Sequence, residues 1–267
     1  GIIAGGWFGG WMADHTGWRA AFTWLAAVGL LYAPVLVLFF RRLPGLRTER
    51  KQDRARPGDI LRSRCYLALA VAFFALCAML WMFYAWLPSF IYERYRLSMA
   101  ESGLMATLYL QSSTIAGLLS GGALADWAVK RAPAGRFYIS ALGLLLCAPF
   151  AWLTLAVRTL ALLKIASAGF GFFAAGMMAN IFASSYDVVA ERNYGLAAGT
   201  LNMIGGVAGG LAMFFAGIWK ESFGIEALML WVALAAAASA VLLMIVVRRR
   251  FEADRLRARI AFKITES

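Results

Sequence analysis

The chain has 267 residues, of which 62% are hydrophobic and only 15% are charged. Soluble domains are about 45–50% apolar and about 25% charged, so this composition excludes an ordinary soluble fold and predicts a protein of the lipid bilayer. The net charge of +12 is concentrated between the apolar stretches. This placement favours contact with anionic lipid and argues against a nucleic-acid partner.

Uncharged stretches recur along the chain, each close to the ~20 residues that cross the hydrocarbon core as a helix. Seven complete spans follow a shorter apolar segment at 1–13, and they cover residues 20–40, 65–92, 103–125, 137–157, 165–186, 194–219 and 227–247. The sequence therefore predicts an all-α polytopic membrane protein. Because Gly1 lies inside an apolar run, we expect further helices before it.

The basic residues are biased towards alternate inter-span segments. Most of the 26 Lys and Arg residues lie in 41–64, 130–136 and 248–263, with Arg192 in a fourth segment. Cytoplasmic loops carry the excess of Lys and Arg, so these segments are predicted to be cytoplasmic. The chain is then a multi-pass protein of the cell membrane with a cytoplasmic C-terminus.

One inter-span segment is long and polar and combines Pro, Gly and alternating charges, which is typical of a linker. The predicted organisation is two last helices of one bundle at 1–40, a cytoplasmic linker at 41–64, a six-helix bundle at 65–248 and a cytoplasmic tail at 249–267. The turns 10–17 and 217–224 both place glycines seven residues apart before the last helix of a bundle. This similarity between the turns supports two related bundles, a known way to build a transporter.

Several motifs resemble those of the major facilitator superfamily. The family signature G-x-L-x-D-R-x-G-R-K is matched at Gly122, Leu124, Asp126, Lys130 and Arg131. Trp127 replaces its first Arg and Val129 its second Gly. Residues 1–10 are similar to the glycine motif of the family's fifth helix, and 17–22 to the start of the sixth. Residues 86–90, WLPSF, are similar to the exterior end of the seventh.

The resemblance implies the superfamily fold in part: the last two helices of the N-terminal bundle and the complete C-terminal bundle. It implies a secondary active transporter, a symporter or an antiporter, that moves a small organic solute by alternating access. WLPSF favours an organic anion as the solute. The glycines of 1–10, typical of antiporters, leave drug or metabolite efflux as the alternative.

A membrane-embedded enzyme or a non-transporting sensor is a more remote alternative. The sequence has no paired Cys, no HExxH or GxSxG motif and no glycine-rich phosphate loop. We therefore predict no catalytic residue, no cofactor and no metal ligand. No Asp or Glu lies in the middle of a span. A coupling proton or cation is thus expected to bind in the helices that precede Gly1.

Polar side chains within the spans are the candidates for a substrate cavity, since such groups are costly in lipid unless they face a cavity or another helix. In 103–125, one Tyr and two Ser at i, i+3 and i+4 share a face that a Gln flanks. In 165–186, a Met, an Asn and a Ser share another. The candidates are Trp81, Tyr84, Tyr109, Gln111, Ser112, Ser113, Asn180, Ser184 and Asn202. For each, the alternative is packing or hydrogen bonding between helices.

The stretches GGWMADHTGW and GGALADWAVK look like copies, but the charges place Asp14 outside and Asp126 inside. The resemblance implies a conformational-switch motif of Gly122, Asp126, Lys130 and Arg131. In the family the corresponding Asp engages the N-terminus of a neighbouring helix, here near 193–195, and steadies the outward-open state. A carboxylate at a helix N-terminus gains about 0.3–1 kcal/mol. The alternative is a solvated loop charge.

Overall fold

A computed structural model describes residues 2–42 and 57–266. Within these ranges the chain forms ten α-helices, one short 3-10 helix at Glu191–Asn193 and no strand. The helices are α1 Ile2–His15, α2 Trp18–Arg42, α3 Pro57–Arg62, α4 Arg64–Tyr95, α5 Met99–Arg131, α6 Gly135–Ala156, α7 Leu160–Met178, α8 Ile181–Asp187, α9 Tyr194–Phe223 and α10 Ile225–Glu266. The predicted all-α polytopic fold is confirmed.

Six stretches of the described chain are long and apolar enough to cross a membrane, one fewer than the sequence predicted. The difference is α5, which has 33 residues but contains the polar run Gln111–Thr114 and further Ser and Thr residues. Its length is that of a spanning helix, whereas its composition is that of a helix with polar contacts. α1 has only 14 residues.

The starts of α4 and α5 are set by side-chain caps. The hydroxyl oxygen of Ser63 accepts a hydrogen bond from the Tyr66 N–H at 3.2 Å. At α5, Ser98 and Glu101 form a capping box, in which each side chain accepts from the backbone N–H of the other. Such caps satisfy N–H groups that have no partner inside the helix.

Small residues allow α5, α6 and α7 to approach closely, as is common between membrane helices. A Cβ atom added to Gly121 would lie 2.7 Å from the Cα of Gly176, and one added to Gly143 would lie 2.7 Å from the carbonyl oxygen of Phe173. One turn before Phe173, the ring of Phe170 packs on that of Phe83 of α4, with their centroids 4.7 Å apart. These contacts join α5 and α6 to α7, and the Phe83 ring of α4 reaches α7 at Phe170.

Two ends of the bundle can be distinguished by contacts between turns. At one end Arg94 of α4 pairs with Glu226 of α10, and the Tyr95 hydroxyl donates to the carbonyl of Val157 at 3.2 Å. The charges predict this end to be exterior, and we refer to it as the exterior end. α1 packs on the exterior half of α5, while α2 packs chiefly on α1 and is otherwise exposed.

The segment predicted as a tail, 249–267, continues α10 as a helix to Glu266. It docks beneath the bundle, because Phe251 and Asp254 are buried and the ring of Phe251 meets that of Phe137 at 5.6 Å. Of the predicted linker 41–64, residues 43–56 lie outside the described residues. Its end forms α3, whose Ile60 is buried.

Candidate functional site

Tyr84 of α4 and Gln111 of α5 form a direct polar bridge between two helices. The Gln111 Nε2 donates to the Tyr84 hydroxyl oxygen at 2.7 Å. Both residues lie about 6–7 Å to the exterior side of the middle of their helices, at 1.5 Å per residue. Both side chains are half-buried. The bridge therefore offers polar atoms near the depth at which transporters bind their substrates.

The bridge lies on the side of the bundle that α1 covers. Gln111 follows Thr107 by four residues, so the two share a face of α5. Thr107 is part of the α1 contact, because a Cβ atom on Gly6 would lie 2.9 Å from its hydroxyl oxygen. Gln111 is thus one helical turn further from the exterior end than the contact with the other predicted bundle.

Two more candidates adjoin the bridge through α9. Trp81, one turn before Tyr84 on α4, is 46% exposed, and its ring packs on Gly209. Asn202 is exposed and precedes Gly209 by seven residues, so the two lie on one face of α9. The structure thus brings Trp81, Tyr84 and Gln111 together, while Asn202 lies about 10 Å further along α9, at 1.5 Å per residue. We refer to the surface of α4, α5 and α9 that carries these four residues as the α4–α5–α9 wall.

The other candidates on α5 belong to different surfaces. Tyr109 lies two residues from Gln111 and therefore about 160° round the helix, where the Lys164 Nζ lies 5.4 Å from its ring centroid. The Ser113 hydroxyl donates to the carbonyl of Tyr109 at 2.9 Å and faces α7. Ser112 is exposed. Helical periodicity places Tyr109 and Ser113 on one face of α5, but it does not reveal which face meets the other bundle.

Asn180 and Ser184 pack inside the bundle and are not part of the α4–α5–α9 wall. Asn180 is 3% exposed and Ser184 is 0% exposed. The Asn180 Nδ2 donates to the carbonyls of Gly121 at 3.1 Å and Gly176 at 2.9 Å. The predicted face shared with Met177 required one continuous helix, whereas the helix is interrupted between α7 and α8 at Asn180.

The structure pairs Asp126 with Arg136 at the start of α6, whereas the resemblance implied a partner near residues 193–195. The Arg136 Nη2 donates to the Asp126 Oδ1 at 3.2 Å, and the Arg136 Nη1 lies 3.6 Å from the Asp187 Oδ2. The start of α6 therefore supplies a nearer positive charge than the start of α9. Because the Asp126 side chain is 69% exposed, its pairing is worth at most about 1 kcal/mol.

The rest of the predicted switch motif is open to its surroundings. A Cβ atom on Gly122 would meet no atom within 4 Å, and Lys130 is exposed. The guanidinium of Arg131 lies 3.9 Å from the ring centroid of Trp127, the residue that replaces the family's Arg. At this end of α5 the chain therefore has a cation–π contact at the position where the family signature has its first Arg.

Two lysines were missed because the sequence placed them in exterior loops. Lys164 lies in the second turn of α7, since Thr159 caps the helix by accepting from the Leu162 N–H at 3.4 Å. Lys220 lies within α9, with its Nζ 4.4 Å from the ring centroid of Trp86. The capping threonine before Leu160 was the signal that could have revealed the first.

The three cysteines and the single histidine of the described part of the chain lie in structural settings. Cys65, Cys77 and Cys147 are free and buried. Among the described residues, no group of three or more His, Cys, Asp and Glu side chains could hold a metal ion. His15 ends α1, where its ring stacks on Trp11 with the centroids 4.7 Å apart.

The family profile described as Major Facilitator Superfamily matches residues 1–166. The chain belongs to this superfamily of membrane transporters. A curated relative, the "Probable L-galactonate transporter" of Escherichia coli, is 25% identical over 130 residues, which cover 43% of this chain and 28% of that protein. The chain therefore matches little more than a quarter of the length of this relative.

The fold is also similar to that of a solved transporter structure. It is the crystal structure of a bacterial homologue of the human lysosomal transporter Spinster, in an inward-facing and unoccupied conformation. The TM-score is 0.66 and the identity is 16%, with 95% of this chain and 67% of that chain covered. At this identity the likeness concerns the fold alone.

Proposed function

We propose that the protein is a secondary active transporter of the cell membrane, with a cytoplasmic C-terminus, that moves a small organic anion by alternating access. The substrate binds between the α4–α5–α9 wall and a second bundle, of which α1 and α2 are the last helices and to which helices preceding Gly1 contribute. The observation that carries the proposal is the 2.7 Å bridge between Gln111 and Tyr84.

The chemistry of the bridge suits an oxygen-rich solute. Because the Gln111 amide donates to the Tyr84 oxygen, the hydroxyl hydrogen of Tyr84 is free to donate to a solute oxygen. The carbonyl oxygen of Gln111 can accept from a solute hydroxyl. A sugar acid carries one carboxylate and several hydroxyls. The name of the E. coli relative, a probable L-galactonate transporter, is consistent with this class of substrate.

The charge near the α4–α5–α9 wall favours an anion. Lys220 lies over Trp86, which is two residues to the exterior side of Tyr84. A positive charge at the mouth of a cavity raises the local concentration of anions. No Asp or Glu lies in the middle of any described span, so a coupling proton or cation is proposed to bind in the other bundle.

Uptake of radiolabelled L-galactonate into proteoliposomes that contain the full-length protein tests the function. We expect saturable uptake, and Tyr84→Phe or Gln111→Ala should raise KM about tenfold or more, since a hydrogen bond to a charged group is worth roughly 1.5–3 kcal/mol. Ser113→Ala, which changes a hydroxyl on the α7 side of α5, should leave KM unchanged. Absence of saturable uptake of L-galactonate and of other sugar acids would contradict the proposal.

Drug or metabolite efflux is the alternative within the superfamily. It was suggested by the glycines of residues 1–10, but Gly6 and Gly10 have a structural explanation, because they allow α1 to approach α5. The glycines therefore favour neither direction of transport. The same liposomes, loaded with substrate, would show net export if efflux were correct.

A further inference from the structure

The contact between α1 and α5 is built from a stripe of residues spaced by four. Gly6, Gly10 and Asp14 lie on one face of α1. A Cβ atom on Gly6 would lie 2.9 Å from the carbonyl oxygen of Gly103, and one on Gly10 would lie 2.7 Å from the Cα of Ala100. We call this contact, between Gly6, Gly10 and Asp14 of α1 and Met99, Ala100, Gly103 and Thr107 of α5, the exterior seam.

At the end of the exterior seam, a carboxylate of one bundle meets the backbone of the other. The Asp14 Oδ2 accepts a hydrogen bond from the backbone N–H of Ala100 at 3.0 Å. Ala100 is the second residue of α5, whose first N–H groups carry the positive end of the helix dipole. This bond connects residues 86 positions apart in sequence, across the predicted boundary between bundles.

Two observations indicate that the bond serves the contact between helices rather than either helix alone. Asp14 is the penultimate residue of α1, where a negative charge is repelled by the negative end of its own helix dipole. α5 already has a complete local cap from Ser98 and Glu101. The Asp14 carboxylate therefore destabilises α1 by itself, and this cost is offset only when α5 is in contact.

We propose that Asp14 is a positioning residue of the transport cycle: its carboxylate latches the exterior seam through the N-terminus of α5 and so favours the state that is closed outside. The inference deepens the proposed function, since it depends on alternating access. In the outward-open state the exterior ends of the two bundles separate, and Asp14 then faces only the unfavourable end of α1. The latch therefore biases the equilibrium towards the inward-facing state.

One face of α5 offers matched reporters on both sides of the bridge. Leu104, Gln111 and Leu118 are spaced by seven residues and share that face. Leu104 lies beside the exterior seam and is half-buried, whereas Leu118 lies towards the cytoplasm and is exposed. Maleimide labelling of Leu104→Cys and Leu118→Cys reports the opening of each side. The full-length protein is used, with the three buried native cysteines replaced by alanine.

Asp14→Asn should increase the ratio of the labelling rate at position 104 to that at position 118 about two- to fivefold, the effect of one charge at a helix terminus. Asp14→Ala, which also removes the hydrogen-bond acceptor, should increase the ratio at least as much, and Asp14→Glu should restore it in part. The control is Glu93→Gln, which neutralises an exposed carboxylate at the exterior end of α4. A ratio for Asp14→Asn equal to that of this control would overturn the latch.

A bulky side chain placed in the exterior seam distinguishes two outcomes, in which either the latch or alternating access itself is wrong. Gly6→Trp should raise labelling at 104 and lower it at 118, while Gly9→Trp should change neither, because a Cβ atom on Gly9 meets no atom within 4 Å. If Gly6→Trp raises labelling at 104 and leaves 118 unchanged, alternating access is contradicted. If Gly6→Trp changes labelling at 104 and at 118 in opposite directions, and Asp14→Asn leaves the labelling ratio unchanged, only the latch is contradicted.

Discussion

The carboxylate of Asp254 accepts a hydrogen bond from the backbone N–H of Cys65 at 2.9 Å, across 189 positions of sequence. The same oxygen accepts from the Ser63 hydroxyl at 3.3 Å, and Ser63 in turn caps α4. The helical extension of α10 thus packs against the start of α4, at the end of the bundle opposite the exterior end. A segment that composition describes as a charged tail is therefore part of the folded bundle.

We predict that Asp254→Ala lowers the stability of the detergent-solubilised protein by about 1–3 kcal/mol, because it leaves the Cys65 N–H and the Ser63 hydroxyl without an acceptor in a buried setting. Glu252→Ala on the same helix, an exposed position, should have little effect. Thermal unfolding followed by a thiol-reactive fluorophore measures both, since the three cysteines are buried. Equal midpoints for the two variants would contradict the docking of α10.

The close approach of α5 and α7 gives a prediction with adjacent matched sites. A Cβ atom on Gly121 would lie 2.7 Å from the Cα of Gly176, whereas one on Gly122 would meet no atom within 4 Å. Gly121→Leu should therefore destabilise the protein by about 1–3 kcal/mol, the usual cost of overpacking. Gly122→Leu should be tolerated. Thermal unfolding of the two variants measures the difference in stability. An equal loss of stability in both would show that α5 and α7 adjust to the added side chain.

The ion pairs of Arg136 give a prediction about the C-terminal end of α5. Arg136→Ala removes the partner of both Asp126 and Asp187. It should destabilise the protein more than Asp126→Ala, because the Asp187 side chain is more buried than that of Asp126 and loses the guanidinium that lies 3.6 Å from its carboxylate. Asp126→Ala should cost at most about 1 kcal/mol. Unfolding midpoints in low salt measure the difference, and the reverse order would contradict the assignment of Arg136 as the central charge.

The fold class could be predicted from composition and span length, because backbone N–H and C=O groups in lipid must be hydrogen-bonded internally, which leaves few alternatives to helices. The grouping of the site residues could be predicted only in part. Helical periodicity places Tyr109 and Gln111 on different sides of α5, but it does not reveal which side meets α1. The partner of Asp126 was missed because Arg136 comes from the next helix, and spacing along one helix carries no information about contacts between helices.

We predict opposite effects on stability and KM for Asn180→Ala and Asn202→Ala, although the sequence made both residues cavity candidates. Asn180→Ala removes two hydrogen bonds to the carbonyls of Gly121 and Gly176 and should lower stability by about 1–3 kcal/mol. If the α4–α5–α9 wall binds the substrate, this variant should leave KM for L-galactonate unchanged in the folded fraction. Asn202→Ala, at an exposed position, should leave the unfolding midpoint unchanged and raise KM.

Uptake kinetics and thermal unfolding of the same two preparations separate these roles. Asn180 is held between α5 and α7, so its removal affects the contact of two helices that any conformational state must keep. Asn202 shares a face of α9 with Gly209, on which Trp81 packs, so its removal changes the surface presented to the other bundle. An effect of Asn180→Ala on KM at unchanged stability would place that amide in the substrate path and would require a site extending between α5 and α7.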